Sequence, residues 1–565
     1  MSTPNFYTPH RKLVLEEMDL RAIVSHLENN YAETGPSTLQ NYEEARQWYD
    51  MLLTNAGDIA ANFIAPRAAA VDEKGAVLIN GDVEWAVETK ENMNVLANAG
   101  YMGGTLERKY GGLNLPTTVN NIIVEMVSQA DASLMNLFGL QDIATTLQKF
   151  GSDEQKDRIL PLFCQGKVSG AMTLTEPDAG SDLQTVKLKA VEKDGQWYLD
   201  GVKRFITNGN ADIHLVLART EDGSRDGRGL SMMLYEREDH MVIRRIEEKL
   251  GIHGSPTCEL QFNMAPCQLI GKRRYGLIKY MMSLLNGARL ATTAQALGIA
   301  QAAYDEAVKY ANEREQFGKK IVHFPAVYQM LKKMEMELET CRVLLYRTAM
   351  AVDYEDMYNR KAQAGKNVKT EQKEAIHLAD FLTPLSKFTI TEMANKVAYD
   401  SLQIHGGCGY MKDFPIQRLY RDARITNIYE GTTQLQVVAA IGGITSGLLT
   451  HEMEKIHRMN ITALAPQRDS IQADAIKITA LVKEVMTLGS KEFLDYVSNY
   501  LVEMASLLYR QIAYLPFAEK HPEKREIFDF FLLDSRARLL YLADLIRNLQ
   551  SHFGTNIMDV KDNFL

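Results

Sequence analysis

Three groups of residues in this chain have types and spacings suited to chemistry. In Thr173-Leu-Thr-Glu-Pro-Asp-Ala-Gly-Ser-Asp182, Pro177 bars a continued helix and Ala179-Gly180-Ser181 offers backbone N–H groups beside a hydroxyl, which together could hold a phosphate. The same composition also suits a polar loop at a domain junction. Arg314-Glu-Gln-Phe-Gly-Lys-Lys320 sets a guanidinium beside a glycine and two lysines, and read alone it fits a helix C-cap whose cations complement the helix dipole. The third group runs from Gln403-Ile-His-Gly-Gly-Cys-Gly-Tyr410 through Arg421-Asp-Ala-Arg424 to Tyr429-Glu-Gly-Thr-Thr-Gln-Leu-Gln436. Its glycines let backbone approach a ligand closely, and Glu430 could act as a base, although a glutamate at a helix start is more often a capping or solvated charge.

Composition narrows the field around these groups. The 565 residues are 46% hydrophobic and 24% charged, an ordinary globular balance with length for three to four structural units. Lysine and arginine number 63 against 72 acids, a net charge of −9, so there is no basic footprint for nucleic acid. The 5 cysteines are scattered without a Cys-x-x-Cys pair, which suits reduced thiols, and His405 with Cys408 gives no plausible metal ligand set. Glu16, Glu17 and Asp19 precede any apolar run, unlike a secretory or transit segment, and no stretch suits a bilayer span. A cytoplasmic protein is the expectation. The Walker loop, His-Glu-x-x-His, Gly-x-Ser-x-Gly and Gly-x-Gly-x-x-Gly patterns are all absent from the sequence.

The elements that must position the three groups follow from periodicity. Residues 41–167 are expected to be helical, with apolar residues three and four apart as at Met51, Leu52, Ala56, Ile59, Ala60 and Phe63, after an extension over 1–40. Over 168–275 the period shortens, and Asp194-Gly195, Asp200-Gly201 and Asp222-Gly223 read as turns of a small antiparallel β domain. Its expected strands are 185–192, 196–199, 213–220, 230–236 and 259–263. Helices return over 276–445, with long ones expected at about 277–319, 324–354 and up to 403, and with Asn359 to Thr370 as an exposed insertion. Residues 446–565 read as an additional helical domain.

Taken in order and spacing, T-x-T-E-P-x-A-G-S-D, F-I-T-N-G, R-x-Q-F-G-K and Y-E-G-T-x-Q-x-Q resemble the acyl-CoA dehydrogenase family of flavoproteins, over about residues 40 to 445. The length and the C-terminal block resemble its larger bacterial members. The resemblance implies a helical N-terminal domain, a β-barrel-like middle domain and a C-terminal four-helix bundle, with the extra helical domain appended. It also implies FAD-dependent α,β-dehydrogenation of an acyl-CoA to the trans-2-enoyl-CoA, with an electron-transfer flavoprotein as acceptor and at least a homodimer. A rival enzyme reading is an acyl-CoA oxidase, and a rival of another class is a non-catalytic scaffold that binds CoA thioesters. For the C-terminal block, dimer packing fits the acidic balance better than membrane association.

Residue by residue, Glu430 matches the family's base, which takes the α-proton while flavin N5 takes the β-hydride. Ala288, where some relatives carry the base, cannot take a proton. Met172, Leu174, Thr175, Gly180 and Ser181 match the loop along the isoalloxazine and pyrophosphate, with Ser181 also close to substrate. Phe205 stands where tryptophan is common, and Thr207 matches the threonine at N5. Arg314, Gln316 and Phe317, with Gln403, Gly406 and Gly407, match elements that reach the FAD of a neighbouring subunit. Thr432 and Gln434 match adenosine-side contacts. Phe324-Pro325 stands where the family often has a glutamine that contacts FAD. Asn286, where aspartate is common, and Arg289 match the CoA side, and Tyr429 and Gly431 flank the thioester.

Overall fold

The computed structural model describes residues 4–33, 38–139 and 142–554, and it divides into two compact units. The first comprises Met1–Thr8, Leu27–Ala303 and Gly406–Thr426, and the second Pro9–His26, Tyr304–His405 and Asn427–Leu565.

In the first unit the helix Tyr42–Asp58 starts where the Asn41 side chain accepts the Glu44 N–H at 2.9 Å, with Glu43 and Glu44 facing the positive helix end. Its inner face is Tyr49, Leu53 and Ala56, continued by Ala60 and Ile64, while Met51 is turned to solvent at 63% exposure. The expected spacing held, but Met51 lies off the buried face. The helix Asp153–Cys164 begins with a reciprocal capping box between Ser152 and Gln155.

The β domain of this unit is one sheet of seven strands: β1 Gly170–Thr173, β2 Lys189–Lys193, β3 Gln196–Thr207, β4 Ile213–Arg219, β5 Leu230–Glu236, β6 Met241–Ile246 and β7 Thr257–Leu269. The Asp194-Gly195 turn joins β2 to β3 with positive φ at both residues (51° and 80°), as a tight hairpin demands. Three expectations are corrected. The sheet is not purely antiparallel, because β1 lies parallel to β4 in the register Gly170↔Ile213, a pairing reached through a long crossover. Asp200-Gly201 is not a turn but an irregularity inside β3. There Gly201 has φ 139° and a side chain would crowd Leu188 at 3.1 Å. Residues 185–188 precede β2 as a short helical turn and loop, and two strands were not anticipated: β1, four residues long and without alternation, and β6, which does alternate buried and exposed positions.

The second unit is helical. Its long helices are Pro325–Gln363, Lys369–His405, Ala465–Thr487, Lys491–Lys520 and Arg525–Phe553, with the shorter Thr433–Thr445 among them. The 325–363 helix absorbs half of the expected insertion, leaving only a loop around Gly365 before the next helix begins. The C-terminal helices meet the 325–363 helix along a buried polar seam. Tyr514 and the Lys524 ammonium donate to Glu339 at 2.7 and 2.6 Å, and Arg510 donates to Glu337 at 2.7 Å and to Thr340. Charges this deep are tolerated because each has a partner. Among the described residues, no helix is long and apolar enough to cross a membrane.

Candidate active site

The T-E-P-x-A-G-S loop begins as β1 ends. Leu174 is buried, Thr175 accepts the Arg204 N–H at 2.9 Å, and so the loop is stitched to β3 beside Phe205 and Thr207. Glu176 is its pivot: the carboxylate accepts the Lys187 and Leu188 N–H groups at 2.7 and 2.9 Å and the Lys203 ammonium at 3.0 Å. Lys203 also donates to the Leu174 carbonyl at 2.7 Å and is fully buried. Burial pulls its ammonium below the usual lysine range, and the Glu176 charge works against that fall. The sequence reading missed this pair, because a lysine within Val-Lys-Arg-Phe-Ile-Thr looks like any solvated strand residue.

Beyond Lys203 the pairing of β3 with β7 slips, from Lys203↔Leu260 to Ile206↔Cys258, so one extra residue bulges out of β3. Phe205 sits in that bulge with φ 62°, half-exposed at 50%, its ring 4.7 Å from the Arg204 guanidinium carbon. Met172, Thr175 and Thr207 are half-buried, while Gly180 and Ser181 are exposed. A side chain at Gly180 would meet nothing nearer than 3.9 Å, so the backbone there is open to a ligand. An exposed ring, hydroxyls on adjacent segments and open N–H groups are what a flat ring system carrying a pyrophosphate requires. These residues fit FAD.

On the helix Met282–Glu313, Asn286 and Arg289 lie one turn apart and half-buried, with the guanidinium donating to the Asn286 carbonyl oxygen at 3.2 Å. The amide thus orients the cation in place of a carboxylate. Ala288 is buried.

Tyr429-Glu-Gly-Thr432 precedes the helix Thr433–Thr445. Glu430 is half-buried and holds φ 54°, a left-handed conformation unusual for a residue with a side chain, and Gly431 follows at φ 91°. Thr432 occupies the N-cap with extended backbone, but its side chain makes no cap hydrogen bond. Thr433 instead donates to Glu392. Two donors hold the turn from the inside. The Lys387 ammonium reaches the Tyr429 and Gly431 carbonyls at 2.9 and 2.7 Å, and the Gln436 amide reaches the Gly431 carbonyl at 2.9 Å. Gln436 closes the Y-E-G-T-x-Q-x-Q stretch, whereas Lys387 was not singled out from sequence. Tyr429 and Gly431 are half-buried, and Gln434 is exposed.

Arg314, Gln316 and Phe317 do not form a helix C-cap. The helix ends at Glu313, and Glu315–Gln316 pairs with Lys319–Lys320 in a small hairpin turned by Phe317 and Gly318, both at positive φ (53° and 78°). Phe317 at its tip is 95% exposed. Gln403, Gly406 and Gly407 are also exposed, and His405 is a packing residue as expected, stacked on Tyr310 with ring centroids 4.4 Å apart.

In the Arg421-Asp-Ala-Arg424 stretch, Arg421 and Asp422 serve the scaffold. Arg421 donates to Asp72 at 2.5 and 3.2 Å, Asp422 accepts the Ile252 N–H at 2.6 Å, and His253 lies 2.9 Å from the Asp72 carboxylate. Burial pushes Asp72 upward, but hydrogen bonds from His253 and Arg421 outweigh it and hold the carboxyl well below its usual range. Asp72 in turn raises His253, whose two ring nitrogens both face oxygen acceptors and so favour the doubly protonated ring. The raised histidine stabilises the fold fully below its unfolded pKa of about 6.5, and this is lost as pH rises through the folded value. The depressed aspartate stabilises fully above about 4, and this is lost as pH falls through its folded value. Urea midpoints of His253→Gln and wild type are therefore expected to differ most near pH 6 and to converge toward pH 9. A difference that grows with pH would contradict the assignment.

The helical first domain, the bulged sheet with its T-E-P loop and the Y-E-G-T turn define a class of flavoprotein. The chain belongs to the acyl-CoA dehydrogenase family, matching the family's N-terminal domain over residues 47–167, its middle domain over 171–265 and its C-terminal domain over 278–441. It is therefore an FAD-dependent oxidoreductase of the acyl-CoA dehydrogenating type. Among particular relatives, it is 35% identical over 421 residues to the 3-methylmercaptopropionyl-CoA dehydrogenase of Ruegeria pomeroyi, a span covering 69% of either chain. The solved butyryl-CoA dehydrogenase of Megasphaera elsdenii is 31% identical, with a TM-score of 0.60 over 70% of this chain and 97% of that one. An acyl-CoA dehydrogenase of Bacillus anthracis complexed with FAD has a TM-score of 0.74 over 92% of this chain and 91% of that one. At 22% identity this likeness concerns the fold alone, and its 92% coverage reaches into the C-terminal helical block.

Proposed function

We propose that the protein desaturates an acyl-CoA thioester between its α and β carbons, with Glu430 as the base, and hands the electrons to an electron-transfer flavoprotein. The observation that carries this reading is the Glu430 carboxylate, presented on a left-handed turn inside a chain that matches all three family domains. The α C–H bond breaks to give its proton to Glu430, the β C–H bond gives up a hydride, and a carbon–carbon double bond forms. Bound FAD supplies the hydride acceptor.

An α-proton of a thioester is too weakly acidic for a solvated carboxylate, so charge developing on the thioester oxygen must be met by a fixed donor. In this reading the Glu430 N–H is that donor, Tyr429 and Gly431 bound the acyl group, and Arg289 with Asn286 serves the CoA side. Met172, Leu174, Thr175, Gly180, Ser181, Phe205 and Thr207 would hold the flavin ring and pyrophosphate, and Thr432 and Gln434 the adenosine side. Arg314, Gln316 and Phe317, with Gln403, Gly406 and Gly407, would reach the FAD of a second copy. A phenylalanine left 95% exposed at a hairpin tip supports a homodimer or higher assembly.

The test is anaerobic titration of the FAD-loaded protein with straight-chain, branched and aryl acyl-CoAs. Flavin bleaching matched mole for mole by enoyl-CoA is expected, with turnover sustained by an electron-transfer flavoprotein and not by oxygen. Oxygen-driven turnover would make it an oxidase, and absence of bleaching with every thioester would leave a binding scaffold.

A further inference from the structure

We propose that Lys387 is a positioning residue for the thioester oxygen, acting through the peptide that carries the Glu430 N–H. The inference rests on the reading of Glu430 as base and of its N–H as the donor to that oxygen.

Lys387 lies in the middle of the helix Lys369–His405 and is fully buried. Its ammonium donates to the carbonyls of Tyr429 at 2.9 Å and Gly431 at 2.7 Å, the residues on either side of Glu430. Two consequences follow. First, these bonds, with the Gln436 amide on the same Gly431 carbonyl at 2.9 Å, fix a left-handed backbone that Glu430 would not hold unaided. Second, the Tyr429 carbonyl and the Glu430 N–H belong to one peptide group. A cation on its oxygen draws density from its nitrogen, so the N–H becomes a stronger donor to whatever oxygen lies beyond it. A neutral donor would serve the first role, whereas only a cation serves the second fully. That distinction accounts for a lysine where a methionine would fill the same volume without burying a charge.

The experiment uses the FAD-loaded full chain with Lys387→Met and Lys387→Gln, and Glu430→Gln beside them. The probe is the straight-chain acyl-CoA, from C4 to C16, that bleaches wild type fastest, and its enoyl-CoA product labelled with carbon-13 at the carbonyl. In wild type the bound carbonyl stretch is expected below its free value. At full FAD occupancy, Lys387→Met is expected to move it at least halfway back, to slow bleaching by about 30-fold and to leave probe affinity within about threefold, since the donor is weakened and not removed. Lys387→Gln is expected to fall between. A merely structural lysine would lower thermal stability and leave the carbonyl frequency of the loaded protein unchanged.

Wild-type frequency and bleaching rate in FAD-loaded Lys387→Met, or in Lys387→Gln if the methionine variant does not load, would overturn the proposal. So would failure of both variants to retain FAD, because the lysine would then only hold the fold. Glu430→Gln separates the two levels. If it is inactive yet keeps the lowered carbonyl frequency, the base reading stands whatever Lys387 does, and if it bleaches at the wild-type rate the base reading itself falls.

Discussion

Glu430→Gln is expected to fold, load FAD and bind acyl-CoA as wild type does, while the first-order rate of flavin bleaching falls by about a thousandfold, within the range a general base contributes. Glutamine keeps the length and branching of glutamate, so the left-handed turn over residues 429–431 and its Lys387 and Gln436 clamps are undisturbed. What is lost is an acceptor basic enough for a carbon-bound proton. Because the amide still fills the site, the dissociation constant should change little, and the loss should fall on the rate alone. Glu430→Asp tests placement independently: it keeps the charge but withdraws the carboxylate by one methylene, and a displacement of about 1 Å is expected to cost on the order of a hundredfold. Anaerobic stopped-flow absorbance reads both. A glutamine variant as fast as wild type would place the base elsewhere. Ala288, at the alternative position on the 282–313 helix, has no group to take that proton.

The parts of the candidate site that were legible in the sequence are unusual residue types at exposed or strained positions. Gly180 and Ser181 stand out in a loop that the structure leaves exposed, and Glu430, which holds a left-handed backbone, stands out because it precedes a glycine and two threonines. The parts that were not legible are interior. Lys203 and Lys387 are fully buried cations, and in a string of letters a lysine signals a solvated face. Only the folded chain brings Glu176 to the first and the Tyr429 and Gly431 carbonyls to the second, across 27 residues in one case and 42 or 44 in the other.

Sheet details failed for a related reason. Phe205 leaves the β3 alternation through a bulge, and β1 pairs in parallel with a strand some forty residues on. Neither has a local signature. The hairpin at Phe317 read as a helix cap because a glycine beside basic residues suits both, and the choice was made by positive φ at two successive residues. Helices survived better, since capping and periodicity are written within one turn. Asn41 and Ser152 begin theirs with side-chain acceptors spaced as the geometry requires.

Removing one partner of the Glu176–Lys203 pair is expected to produce the largest loss of cofactor of any single change in the loop. The lysine side chain is completely enclosed and the glutamate is 7% exposed, so Lys203→Met leaves a carboxylate facing two backbone N–H groups without its cation, and Glu176→Gln leaves a buried ammonium without its anion. Breaking such a pair from one side costs about 3–5 kcal/mol, a large share of a domain's stability. The strain is local, because Glu176 ties residues 174–176 to 187 and 188 and Lys203 ties the same turn to β3. Thr175 therefore loses its fixed position beside Arg204 of β3, and the loop that carries Gly180 and Ser181 loses its anchor. Each single variant is expected to lower the thermal midpoint of the apoprotein by several degrees and to be purified with well under half of its FAD. Glu176→Met combined with Lys203→Met should recover part of the midpoint, since it leaves no lone charge, but not the flavin, since the Lys187 and Leu188 N–H groups still lack an acceptor. Scanning calorimetry and the ratio of flavin to protein absorbance separate these outcomes. Single variants that retain full FAD at wild-type midpoints would mean that the loop is held by its backbone bonds alone, and that the buried pair is dispensable to the cofactor site.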